Sequence, residues 1–133
     1  MRIVLDTNVL IAALVADGLC RDLVRRRVLA HELCTSEALL KELAKTLHRK
    51  FGVTANEVPL LAEYRARATL VKPAVLPASI CRDPDDDVVL ATAAAAGAQA
   101  IVTGDDDLLS LRKYDDISIL SPRQFLEKLD RMA

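Results

Sequence analysis

A chain of 133 residues, 52 % hydrophobic and 28 % charged, is long enough for one domain with its own core and too apolar to be disordered. Aromatic residues supply only 3 %, and Phe51, Tyr64, Tyr114 and Phe125 are scattered, which argues against a platform for stacking bases and leaves the core to Leu, Val, Ile and Ala. A formal charge of −1 gives no global pull toward nucleic acid or anionic membrane.

The first apolar run, "RIVL", ends at Asp6 and reads as a buried strand; "TNVLIAALVADG" follows as a helix with Gly18 as its stop. This N-terminal stretch is not expected to be an export signal or a membrane span, because Asp6 and Asn8 interrupt it and only Val9 to Ala16 is unbroken. Arg21 to Leu29 suits a second, basic helix. "HELCTS" is a short strand, and Ser36 is placed to cap "EALLKELAKTLHRK", a helix with a stripe of Leu39, Leu40, Leu43 and Leu47 that ends at Gly52. Asn56 is placed to cap a further helix reaching about Arg67, and "TLVKPAVLP" reads as a strand followed by a proline-broken loop. A helix from about Asp85 to Ala96 stops at Gly97; "QAIVTGDDDLL" is a strand, a turn and a short helix. "ISILSPRQFLEKL" repeats that step, with Ser121 as cap and Pro122 at the first helical position. Strands alternating with helices over residues 1–133 predict a single α/β domain with a mostly parallel sheet covered on both faces.

Ligands of open parallel sheets bind beyond the carboxyl ends of the strands. Asp6 follows "IVL" and Asp105 follows "AIVTG", so both fall there. Asp86 and Asp87 lie in the first turn of a helix, and Glu42 lies on the flank of the leucine stripe. Taken singly, each has an ordinary explanation: helix caps for Asp6 and Asp105, dipole-favouring charges for Asp83, Asp85, Asp86 and Asp87, and a surface pair with Lys41 or Lys45 for Glu42. Together, several acids at one end of one sheet suit a hard divalent cation with oxygen ligands. Cys20, Cys34 and Cys81 are odd in number and widely separated, and His31 and His48 lack helical ligand spacing, so neither a zinc site nor a disulfide framework is expected. Arg21, Arg25, Arg26 and Arg27 form one local basic cluster, and Lys45, His48, Arg49 and Lys50 a second; each is either a solvated helix face or a phosphate-contacting surface. Phosphate loops and serine or cysteine nucleophile motifs are absent, which leaves hydrolysis by metal-activated water.

"IVLDTNVLI", "SEALLKEL" and "DPDDDVVLATAAAAGAQAIVTGDDDLL", in this order and spacing, resemble the PIN-domain family over nearly the whole chain. The resemblance extends to the VapC-like toxins of toxin–antitoxin systems. It implies a three-layer α/β/α sandwich and a Mg²⁺- or Mn²⁺-dependent ribonuclease leaving 5′-phosphate and 3′-hydroxyl ends. Its acids carry over to Asp6, Glu42, Asp105 and one of the Asp86–Asp87 pair; counting back from Thr103 favours Asp87, whereas matching "DPDD" favours Asp86, and Asp87 is taken as the expected catalytic and metal-binding acid with Asp86 as the alternative. Asn8 and Thr103 match polar positions that support the acids, and Asp107 is expected to be peripheral. The resemblance further implies a homodimer with RNA as substrate and a cognate antitoxin protein; the interrupted N-terminal run and the three cysteines, read as reduced thiols, predict no membrane and a cytoplasmic location. Two other readings compete. One is a PIN-like module that binds RNA or protein without cutting. The other is a HAD-type phosphatase or receiver domain, whose acidic pair after the first strand is not matched here because Asn8 stands two residues after Asp6.

Overall fold

The computed structural model describes residues 1–15, 18–28 and 31–132. Strands lie at Arg2–Leu5 (β1), Glu32–Thr35 (β2), Thr69–Leu70 (β3), Ala100–Val102 (β4), Lys113–Tyr114 (β5) and Ile117–Leu120 (β6). They form one sheet in the order β3-β2-β1-β4-β6-β5. Every neighbouring pair is parallel except β5 with β6, which pair antiparallel. Helices lie at Thr7–Val15 (α1), Leu19–Asp22 (α2), Glu37–Phe51 (α3), Pro59–Arg67 (α4), Pro84–Ala96 (α5), Asp106–Leu111 (α6) and Pro122–Met132 (α7).

Successive strand residues point to opposite faces, and the core divides accordingly. Ile3, Leu5, Ala100 and Val102 pack into one apolar cluster with Leu10, Leu43, Leu47 and Phe125 from α1, α3 and α7. Val4, Ile101 and Ile119 pack into the other with Val89, Leu90 and Leu108 from α5 and α6. This is the α/β/α sandwich with a mostly parallel sheet. Leu47, Leu61 and Phe125 are completely or almost completely buried, each contributing about 1.5–3 kcal/mol relative to exposure. The cysteines are free thiols, with Cys34 buried and Cys20 and Cys81 half-buried.

Several local signals act as the sequence suggests. Ser36 Oγ accepts from the Leu39 amide at 3.3 Å, and Gly52 closes α3 in the left-handed region with φ 66°. Ser121 and Gln124 cap α7 reciprocally, at 2.9 and 3.1 Å.

Other signals give way to stronger neighbours. Asn56 does not cap α4: it lies in a 3₁₀ turn, Ala55–Glu57, and the helix begins at Pro59 after Val58, with no side-chain cap. Proline needs no partner for a missing N–H and has a preset φ, so it starts the helix two residues later than an Asn cap would. The basic segment is a short α2 running into a π-helical turn, Leu23–Arg27, and its assigned end at Leu29 lies outside the described residues, as does Ala16. Arg21 in that segment donates to the carbonyls of Ala13 at 2.8 Å and Leu14 at 2.9 Å, closing the end of α1, and Arg27 pairs with Asp130 at 2.6 Å. Two of the four arginines in the first basic cluster therefore have structural roles. Strand β5 was not expected; it forms because Arg112 and Asp115 adopt φ of 61° and 51°, turning the chain back onto β6.

Candidate metal centre

The carboxyl ends of β1 and β4 lie side by side. The sheet continues one step beyond them, with the Asp6 amide donating to the Val102 carbonyl and the Thr103 amide to the Leu120 carbonyl, both at 2.9 Å. Asp6 and Thr103 thus meet at one level.

Asp6 is buried, and its carboxylate accepts three hydrogen bonds. They come from the Thr7 amide at 2.8 Å, Asn8 Nδ2 at 3.1 Å and Thr103 Oγ1 at 2.7 Å. Asn8 Oδ1 in turn accepts from the Gly104 amide at 2.9 Å, and Thr103 Oγ1 accepts from the Asp105 amide at 3.0 Å. Asp105 caps α6 by accepting from the Leu108 amide at 3.2 Å. Its capping explanation and its place at the sheet edge are therefore both true. Asp6 binds the amide of the first helical residue rather than the second or third, so it is not an ordinary cap.

Helix α5 supplies a third acid. Asp83 caps it through the Asp85 amide at 2.9 Å, and Pro84 starts it. This phasing turns Asp86 into a cavity of about 350 Å³ shared with Asp6, Glu42, Asp105, Thr46 and Lys50. Asp87, favoured by the count from Thr103, faces elsewhere. Its carboxylate accepts from the Cys81 amide at 2.8 Å, the Ile80 amide at 3.3 Å and Ser79 Oγ at 3.3 Å. The geometry therefore brings Asp86, not Asp87, to the other acids. Adjacent helical residues are separated by about 100° of rotation, and only one of the pair can face the sheet edge.

Glu42 reaches the cavity from α3 and forms no ion pair with Lys41 or Lys45. Its helix is registered against α5 by a buried contact, Ser36 Oγ to Thr92 Oγ1 at 2.9 Å, while Thr92 donates to the Val88 carbonyl at 2.8 Å. One carboxylate oxygen each of Asp86, Asp105 and Asp107 lies within 4.8 Å of the others. Asp107 is thus closer to the centre than expected, although Arg82 pairs with it at 2.6 Å.

Electrostatics follow from this crowding. The Asp86 carboxyl is pushed up to about 7 by burial, then by the charges of Asp105, Asp83 and Asp6 and a shared hydrogen bond with Asp105. Burial raises Asp6, with the Asp105 charge adding to it, against the hydrogen bonds from Thr103, Thr7 and Asn8. Glu42 is also raised, by burial and then by Asp6, Asp85 and Asp83. For Asp87, burial acts upward but the bonds from Cys81, Ile80 and Ser79 outweigh it, so its pKa is lowered. The raised acids converge on one cavity, and all its acidic donors are oxygen. That donor set suits Mg²⁺ or Mn²⁺ rather than a thiol- or imidazole-seeking metal, and a dication would offset both the burial and the repulsion that push Asp86 up.

Thr103 gives a specific expectation. Thr103→Val keeps the shape, removes the donor to Asp6 and leaves the Asp105 amide without its acceptor. Divalent-metal affinity, measured by calorimetry, should fall by about 10–100-fold, the usual loss behind a ligand.

A parallel sheet ending in this acid cluster defines the class, and the PIN-domain family matches residues 2–107. The chain belongs to that family, whose members are generally nucleases acting on RNA and using divalent metal. It is similar to the uncharacterized protein MJ1680 of Methanocaldococcus jannaschii, 29 % identical over 148 residues, covering 98 % of this chain and 93 % of that protein. Among the described residues no helix is long and apolar enough to cross a membrane.

Proposed function

We propose that the chain is a Mg²⁺- or Mn²⁺-dependent endoribonuclease that hydrolyses phosphodiester bonds. The supporting observation is the convergence of Asp6, Glu42, Asp86 and Asp105 on one cavity at the carboxyl edge of the sheet. Asp6, Asp86 and Asp105 would hold the cation, with Glu42 closing the site from α3. When bound, a divalent cation activates water for in-line attack and offsets charge on the phosphate. Thr7, Asn8 and Thr103 fix the orientation of Asp6, so its oxygens need no reorganisation as the site fills. Asp86, its carboxyl pushed up to about 7, would have to be ionised to serve as a ligand. Glu42, with its raised pKa, is suited to take up a proton from the attacking water.

This reading carries the toxin role, homodimer and obstructing antitoxin that the motif resemblance implies, together with the cytoplasmic location expected from the N-terminal stretch and the cysteines. A HAD-type phosphatase fits poorly. Asn8, where its second acid would stand, donates to Asp6 and accepts from Gly104, so it has a supporting role instead.

The test is purified protein with end-labelled single-stranded and structured RNA in parallel Mg²⁺, Mn²⁺ and EDTA reactions. Cleavage only with metal, leaving 5′-phosphates, is expected. Equal cleavage in EDTA would contradict the assignment, and RNA binding without cleavage under every condition would favour the non-catalytic module.

A further inference from the structure

Helix α3 forms one wall of the acidic cavity, and its charge distribution has an order. Glu42, Thr46 and Lys50 are four residues apart and share a line along the helix. At 1.5 Å per residue the line places Lys50 about 12 Å along the axis from Glu42. All three line the acidic cavity. A second cavity, of about 220 Å³, lies on the other side of Glu42 and is lined by Lys41, Lys45 and Asp85. Glu42 lines both cavities. All three lysines are exposed, and among the described residues none forms an ion pair, although carboxylates border both cavities. Unneutralised ammonium groups flanking a phosphodiester-cleaving centre suit the phosphates on either side of the scissile one.

Resting on the ribonuclease reading above, we propose that α3 is a phosphate rail for single-stranded RNA. Lys50 seats one backbone phosphate on one side of Glu42, and Lys41 with Lys45 seats another on the opposite side. The two cavities are small and separate, which suits phosphates presented singly along one flexible strand. Lys50 also lies in the last turn of α3, where a cation complements the helix dipole. That role has no effect on RNA affinity, which makes the two separable.

The experiment is fluorescence anisotropy of a short fluorescein-labelled single-stranded RNA across a salt series, in Mg²⁺. All proteins compared would carry Asp6→Asn to block cleavage. Each lost phosphate contact should reduce the slope of log affinity against log salt by about 0.7. Lys50→Ala should show one such reduction and roughly three- to tenfold weaker binding, and Lys45→Ala with Lys50→Ala should show two. Lys50→Arg should retain the slope. In the otherwise unmodified chain, Mg²⁺ affinity of Lys50→Ala should be equal or tighter, since a repelling charge is removed. Unchanged slope and affinity in the alanine variants, alongside metal-dependent cleavage by the chain with Asp6 intact, would overturn the rail and spare the nuclease assignment. Absence of RNA binding in every form would overturn both.

Discussion

Asp86→Asn should lower metal-dependent RNA cleavage by at least about a hundredfold, beyond the loss of a supporting residue, while the neighbouring Asp87→Asn leaves it within about threefold. The two substitutions are chemically identical and adjacent, so the contrast reads orientation alone. Asp86 faces Asp6, Glu42 and Asp105, and crowding there raises its pKa to about 7. Its amide replacement would leave the cavity one charge short and with one fewer anionic oxygen. Asp87 spends its carboxylate on the amides of Ile80 and Cys81 and the hydroxyl of Ser79. Asp87→Asn should therefore lower the melting temperature, by loosening the segment before α5, rather than the turnover of folded protein. The rates and the melting curves are read from the same three preparations, the two variants and the parent. Comparable loss of cleavage in both variants would remove the distinction.

The second large effect is expected at Asp6. Asp6→Asn should abolish detectable cleavage and weaken Mn²⁺ binding by at least about a hundredfold. The carboxylate is held by three donors, from Thr7, Asn8 and Thr103. An amide offers only one acceptor atom, so its NH₂ must face at least one of those donors. Thr103 cannot readily adapt, because its Oγ1 also receives the Asp105 amide. The variant therefore loses both charge and local order, and Asp105 is disturbed along with Asp6. Calorimetric titration with Mn²⁺, next to a circular dichroism spectrum showing retained helix, measures the loss. Metal affinity unchanged from the parent would remove Asp6 from the centre.

Much of this arrangement is readable in the sequence because single residues carry it. "RIVL" and "AIV" are apolar runs that end at polar residues, which fixes where β1 and β4 stop and places Asp6 and Asp105 at the carboxyl edge. Ser36, Gly52, Gly97 and Pro122 mark helix ends through local chemistry that tertiary packing does not override. The count along the chain favours Asp87, whereas the structure turns Asp86 toward the other acids, since one residue of slack is a third of a helical turn. Nothing local in α5 decides between them: "VVLATAAAA" is apolar almost all round, and Leu90 and Ala91, three and four residues after Asp87, are buried just as Val89 and Leu90, three and four after Asp86, are. The turn at Arg112 and Asp115 had no marker either, because both residues occupy positive φ without glycine. The pairing of Ser36 with Thr92 and the approach of Asp107 to Asp86 are contacts between distant segments, which no local pattern encodes.

The central claim is that this cavity holds a divalent cation in place of a proton. Because Asp86 is held up to about 7, it is mostly protonated at about pH 6 and mostly ionised at about pH 8. Metal binding must then release close to one proton at the lower pH and little at the higher, and affinity should increase between them. Mn²⁺ titration calorimetry in buffers of different ionisation enthalpy measures that release directly. The predicted result is saturable binding with proton release at about pH 6 that fades by about pH 8 and is absent in Asp86→Asn. Binding with no buffer dependence at either pH, or no binding at all, would contradict the account.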